Sequence, residues 1–307
     1  MTSPRFIVPA DVPKDRVDQF LHHYRLLTRG TESLFIFAAD HKIEHLNADF
    51  YGPGIPAEVN DPEHLFQIAA RSPIGAFATQ LGLIARYAPT YSEIVYIAKL
   101  NSKTNLIRSA SSDPKSALLW TVDDVVRMKN NKGIRIAGVG ITIYLGSTYE
   151  DQMLAVAAQQ ITRAHQEGLV AILWIYPRGA GIAHEDSLEL TAGAAGVANA
   201  LGADVVKLKV PHDAVGDTSR SMLELIARAA GNTKIIYSGG KRQEVERYLM
   251  QLGQQLSAGS SGCAIGRTIF QRTRAEAYAL SCAVSLMIHE QKNALEAFEA
   301  YTKMISE

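Results

Sequence analysis

Charge of one sign is the first thing missing. Lys plus Arg and Asp plus Glu both number 31 in 307 residues, so the chain carries no net charge at neutral pH. Without a basic excess or a charged tail, neither a nucleic acid nor an anionic membrane surface is an expected partner. Cysteine is scarce as well. Cys263 and Cys282 lie among apolar residues, and a chain of this length with 47% apolar residues has no need of them as staples, which favours a reducing compartment. No apolar run is long enough to span a bilayer, and the stretch from Met1 to Phe6 lacks the apolar core of a secretory leader. The expectation is a soluble cytoplasmic protein. Internal repeats and low-complexity segments are also absent, and no G-x-G-x-x-G follows the first apolar run, which weakens an open dinucleotide-binding sheet.

What is present is alternation. Val17, Phe20, Leu21, Tyr24 and Leu27 recur at helical spacing before Gly30, so residues 11–29 read as an amphipathic helix covering one end of the core. Short apolar runs follow at 33–40, 75–79, 94–100, 134–144, 169–176, around 205–209, at 233–238 and at 262–266. They are nearly continuous in apolar residues, as strands buried on both faces require. Helical patterns separate most of them, one opened by Asp61-Pro62 and one by Thr121 with Asp124 in a capping-box spacing. Two further helices near 270–288 and 291–305 end the chain. Eight alternating units predict a (β/α)8 barrel, α/β in class, as one domain over residues 1–307.

Within this frame the stretch Gly202 to Pro211 stands out, because a short buried strand there carries Lys207 and Lys209. Alternation puts Val205, Lys207 and Lys209 on one face and Asp204, Val206 and Leu208 on the other. Desolvation and mutual repulsion lower the pKa of such lysines and leave an amine able to attack a carbonyl. The alternative is that one or both pair with carboxylates near the strand end.

In a barrel the chemistry belongs at the C-terminal strand ends. Those ends carry Asp40; Lys99 and Asn101; Thr142 and Tyr144; Trp174, Tyr176 and Arg178; then Lys207 and Lys209. A phenol near a lysine can move protons to and from carbon or a carbinolamine oxygen, and a carboxylate can orient or deprotonate a hydroxyl. Strands seven and eight end in Ser238-Gly239-Gly240 and Gly266-Arg267-Thr268, each expected to lead into a helix and, as a pair, to hold a phosphate. The residues His41 to His45 also read H-x-x-E-H, an inverted zinc-peptidase pattern. Its place directly after a strand, beside a Gly/Pro-rich loop and without a third ligand, argues against metal.

These residues resemble the archaeal-type class I fructose-1,6-bisphosphate aldolases, within the Schiff-base barrel aldolases. The resemblance runs over most of the chain. It is carried by Asp40 to His45 with Asp49 and Phe50, Lys99 to Thr104, Thr142 to Ser147, Trp174 to Gly179, Gly202 to Lys207, Ser238 to Gly240, and Gly266-Arg267. By position it implies Lys207 as Schiff-base lysine, Tyr176 as proton donor and acceptor, and Asp40 and Trp174 as active-site groups. Ser238, Gly239, Gly240, Gly266 and Arg267 would hold a substrate phosphate, with Arg178 and Lys209 as further substrate contacts. No cofactor and no metal is implied, and the family is oligomeric, often decameric. Lys42 and Leu46 stand where the family's first motif usually has glycines, Leu145 where it has Pro and Thr268 where it has Asn. Alternatives are a related barrel enzyme using the lysine on another phosphorylated keto compound, or a sugar-phosphate binding protein without turnover.

Overall fold

Eight of the apolar runs fold as parallel strands. The computed structural model describes residues 6–40, 43–106, 113–213 and 216–306. The barrel strands are β1 (Leu34–Ala38), β2 (Ala76–Gln80), β3 (Tyr96–Lys99), β4 (Ile136–Leu145), β5 (Val170–Pro177), β6 (Val205–Leu208), β7 (Lys234–Ser238) and β8 (Gly262–Ile265). Each pairs with its successor, and β1 also pairs with β8, so the sheet closes into a (β/α)8 barrel without edges. Parallel neighbours need crossovers, and helices supply most of them. An antiparallel ribbon of Asn101–Ser102 with Ala117–Leu118 lies in the β3 to β4 crossover, ahead of the helix Val122–Lys132.

Side-chain alternation divides the apolar residues into two cores. Phe35, Phe37, Phe77, Tyr96, Val206 and Leu208 point outward under the helices, while Leu34, Ile36, Ala78, Ile172, Val205 and Ala264 fill the barrel. Along β1 the inward set runs Leu34, Ile36, Ala38, so the barrel is filled at its N-terminal end and opens towards the other.

The N-terminal helix Val17–Thr28 closes the filled end with Phe20, Tyr24 and Leu27. Its last turn already leaves the helical region at Arg29 (φ 51), one residue before the expected Gly30 stop. The helix starts at Pro62 and Val122 are as expected, with side-chain caps from Asp61 and Thr121. Two expectations need correction. The Ser238-Gly239-Gly240 turn does not lead directly into a helix, which begins only at Val245, and the turn after β8 leads into a single helical turn, Arg267–Phe270, before the helix expected near 270–288 forms at Arg274–His289. The glycine turns therefore offer backbone N–H groups, not the end of a long helix dipole. Cys263 and Cys282 are both free thiols, and among the described residues no helix is long and apolar enough to cross a membrane.

Candidate active site

Most of the polar residues that end the apolar runs meet in one cavity of about 860 Å³ at the open end of the barrel, whereas Asn101, Thr142 and Tyr144 do not line it. Every expected site residue lines it: Asp40, Trp174, Tyr176, Arg178, Lys207, Lys209, Ser238, Gly239, Gly240, Gly266 and Arg267. Lys99, expected only as a polar strand end, lines it as well, as do Glu44, His45 and Asp49, which the sequence offered as parts of a motif without an individual catalytic or binding role.

Register sets the level of each group. Lys207 lies opposite Trp174 on one side and Ile236 on the other, and Trp174 lies opposite Thr142. The indole is nearly buried, at 3% exposure, with Lys99 Nζ 4.4 Å and Lys207 Nζ 6.0 Å from its ring centroid. Lys99 Nζ donates to Thr142 Oγ1 at 2.6 Å. Gly140 makes this arrangement possible, because a Cβ there would lie 2.6 Å from the Trp174 ring and 2.9 Å from Lys99 Cδ.

Burial, and after it the nearby Lys99 cation, bring the Lys207 amine down to about 7, from an ordinary 10.5. At neutral pH much of it is the free amine, the form that adds to a carbonyl. The expected neighbour was Lys209, and that is corrected. Lys209 is half-buried and pairs with Glu185, so the charge that helps keep Lys207 neutral comes from β3 across the barrel and not from the same strand.

A carboxyl and a phenol share the cavity with this amine. Asp40 is buried, its Oδ1 has no hydrogen-bond partner among the described residues, and burial raises its pKa. The Tyr176 phenol is held above its ordinary pKa by burial and by Glu44, so it stays protonated at neutral pH. β5 continues its pairing past Pro177, with Arg178 N–H donating to Leu145 O at 2.7 Å, which keeps Trp174, Tyr176 and Arg178 on one face. The Arg178 guanidinium lies 5.6 Å from the Tyr144 ring centroid and 5.8 Å from that of Tyr176.

Glu44 reads differently in three dimensions. It adopts the left-handed region (φ 68), rare for a residue with a Cβ, and accepts from Tyr144 Oη at 3.0 Å and Ser102 Oγ at 3.0 Å. Asn105 Nδ2 holds its carbonyl at 2.6 Å. His45 faces Asp49 instead, at 3.5 Å. The Glu and the second His of the H-x-x-E-H pattern therefore point to different partners and lie on no helix, whereas His41 and Lys42 are outside the described residues. Among the described residues no three His, Cys, Asp or Glu side chains gather as a metal site.

At the β7–β8 rim, Gly240 takes a left-handed turn (φ 68), and Thr268 Oγ1 donates to Gly239 O at 3.3 Å, tying the two glycine turns together. Among the described residues the Arg267 side chain makes one long contact, Nη1 to Asp49 Oδ1 at 3.4 Å, which leaves most of its donors without a protein partner there.

Three comparisons bear on this constellation. The sequence profile of the DeoC/LacD family aldolases matches residues 34–272. A Methanocaldococcus jannaschii protein named fructose-bisphosphate aldolase/6-deoxy-5-ketofructose 1-phosphate synthase is 45% identical over 295 residues, covering 96% of this chain and 94% of that one. Among solved structures, a fructose-bisphosphate aldolase from Slackia heliotrinireducens superposes with a TM-score of 0.93 at 43% identity, covering 97% of this chain and 94% of that one. An archaeal fructose-1,6-bisphosphate aldolase, solved with its catalytic Lys covalently bound to the carbinolamine intermediate, gives 0.75 at 28% identity, over 88% and 99%.

Proposed function

The chain belongs to the DeoC/LacD aldolase family, and from that premise we propose that it is a class I aldolase that reversibly cleaves fructose 1,6-bisphosphate to dihydroxyacetone phosphate and glyceraldehyde 3-phosphate. The observation that carries the reading is the Lys207 amine, brought down to about 7 and facing a cavity it shares with Tyr176 and Asp40.

In this reading the Lys207 amine adds to the keto carbon C2, and the carbinolamine loses water to an iminium. Asp40 takes the proton of the C4 hydroxyl, the C3–C4 bond breaks, and its electrons flow into the iminium to give an enamine. The aldehyde leaves, Tyr176 protonates C3, and water releases dihydroxyacetone phosphate and the free amine. Trp174 supplies a wall against which both lysines are held. The iminium is the electron sink, so no metal is called on. We take the protein as one barrel domain acting as a cytoplasmic homo-oligomer on sugar phosphates. The test is formation of both triose phosphates from fructose 1,6-bisphosphate after exhaustive EDTA treatment. No products, or products only after zinc is restored, would refute it.

The second activity in the name of the Methanocaldococcus relative favours one wider reading, in which the same imine serves another ketose phosphate. The chemistry at Lys207 is unchanged in that case, and only the aldehyde half differs.

Two consequences follow for variants. Arg267→Ala removes a charged fork at the phosphate rim, so KM for fructose 1,6-bisphosphate should rise by ~10–100-fold while a phosphate-free analogue is little affected. Equal effects on both would make Arg267 a structural residue. Lys99→Met removes the cation that helps depress Lys207. The ascending limb of kcat/KM, expected near pH 7 in the wild type, should move to higher pH in the variant. An unmoved limb would leave burial alone responsible.

A further inference from the structure

The two ends of the cavity treat anions differently. Near the ends of β5 and β6, Arg178 donates from Nε to Glu185 Oε1 at 2.6 Å and from Nη2 to Glu185 Oε2 at 2.9 Å, and Lys209 Nζ pairs with that same Oε2. One of the two forked edges of the guanidinium, Nε with Nη2, is thus occupied by a carboxylate of the protein, which also offsets its charge. Burial pushes the Glu185 carboxyl up, but Arg178 and Lys209 outweigh it and hold the group below its ordinary value, so it is ionised at neutral pH. A phosphate arriving here must displace or share that carboxylate. At the β7–β8 rim, the Arg267 side chain has among the described residues only its 3.4 Å contact to Asp49, and the glycine turns lie beside it.

Arg178 and Lys209 line the cavity, and Glu185 holds them from behind. Arg178 also lies over the rings of Tyr144 and Tyr176, close to the bond that breaks in the aldolase reading. A ketose held by its C1 phosphate at the β7–β8 rim and by C2 at Lys207 directs its far end towards this triad.

We propose that Glu185 is a specificity-determining residue that withholds Arg178 and Lys209 from a phosphate on the far end of the ketose. The site then selects substrates by the phosphate next to the keto group and accepts aldehyde halves that carry no phosphate. Glu185 touches no reacting atom and acts by positioning the two cations. The inference rests on the aldolase reading and refines its substrate class.

The experiment compares cleavage of fructose 1,6-bisphosphate and fructose 1-phosphate by the wild type and by Glu185→Gln, which keeps size and one acceptor but removes the charge. In the wild type, kcat/KM for the two should agree within ~10-fold, because Glu185 already pairs with both cations that a far phosphate would meet. In Glu185→Gln the ratio should shift towards the bisphosphate by ~10-fold or more, through a lower KM for that substrate alone, a split that general loosening of the loop would not produce. A wild-type preference for the bisphosphate above ~10³-fold overturns the proposal without any variant, since it requires a working far phosphate site. An unchanged ratio in a folded Glu185→Gln, with wild-type cleavage intact, overturns the role of Glu185 and leaves the aldolase reading standing. If the wild type cleaves neither substrate, the aldolase reading fails and takes this inference with it.

Discussion

Borohydride reduction in the presence of dihydroxyacetone phosphate is expected to leave one covalent adduct, on Lys207, and Lys207→Met is expected to abolish both adduct and cleavage. Four lysines line the cavity, and geometry separates them: Lys241 is exposed at the β7–β8 rim, away from the buried wall that Lys207 shares with Trp174. Lys99 Nζ donates to Thr142 Oγ1, and Lys209 is ion-paired with Glu185. Among the described residues nothing holds Lys207 Nζ by a hydrogen bond, and burial has brought it to about 7. Lys99→Met and Lys209→Met should still be trapped, at altered rates. Peptide mapping that places the adduct on Lys99 or Lys209 would overturn the assignment, and absence of any adduct would remove the imine mechanism.

The same variant carries a stability signature of opposite sign. The Lys207 pKa is about 7 folded and 10.5 as an ordinary lysine, so between those values the unfolded chain binds more protons than the folded one. Stability of the wild type therefore rises with pH across this window and is fully penalised only below about 7. Lys207→Met, which titrates nothing, should be more stable than the wild type at pH 7, and its advantage should shrink towards pH 10. Urea unfolding at both pH values measures this. An advantage that is equal at both, or a loss at pH 7, would mean that packing and not desolvation dominates at this position.

Much of the barrel was legible because its signals are local. Apolar runs such as Ser33 to Asp40 and Leu169 to Tyr176, short and alternating with helical patterns, read as buried strands, and their ends bring Trp174 and Tyr176 to the same mouth as Lys207, as the register shows. What stayed hidden depends on pairs distant in sequence. Lys99 reaches the neighbourhood of Lys207 across the barrel, past a glycine at position 140 whose missing Cβ no periodicity announces. Glu185 lies on the loop after β5, and its hold on both Arg178 and Lys209 shows only once β5 and β6 are side by side. Glu44 was legible merely as part of a metal pattern, because spacing cannot tell a helical i, i+4 pair from a loop whose Glu turns towards Tyr144. Lys99 did leave a trace, as a polar residue ending an otherwise apolar strand.

Tyr176→Phe is expected to lower cleavage by ~10²–10⁴-fold while leaving the ring packing intact. Its neighbour Tyr144 supplies the internal control. Both phenols are pushed above their ordinary pKa by burial, so both are protonated at working pH and either could give a proton. The Tyr144 hydroxyl, however, already donates to Glu44 Oε2 at 3.0 Å, which spends its proton on the protein. Among the described residues no such partner takes the hydroxyl of Tyr176, and that leaves its proton for the substrate. Tyr144→Phe should therefore cost far less than Tyr176→Phe, chiefly through the freed Glu44 carboxylate. The step affected can be read separately, since exchange of the C3 proton of dihydroxyacetone phosphate with solvent reports protonation of the enamine without any aldehyde present. Tyr176→Phe should slow that exchange by about the same factor as cleavage, and borohydride trapping on Lys207 should persist. If exchange stays fast in Tyr176→Phe and falls in Tyr144→Phe, the proton passes through Tyr144, and the Glu44 contact is the route that resupplies it.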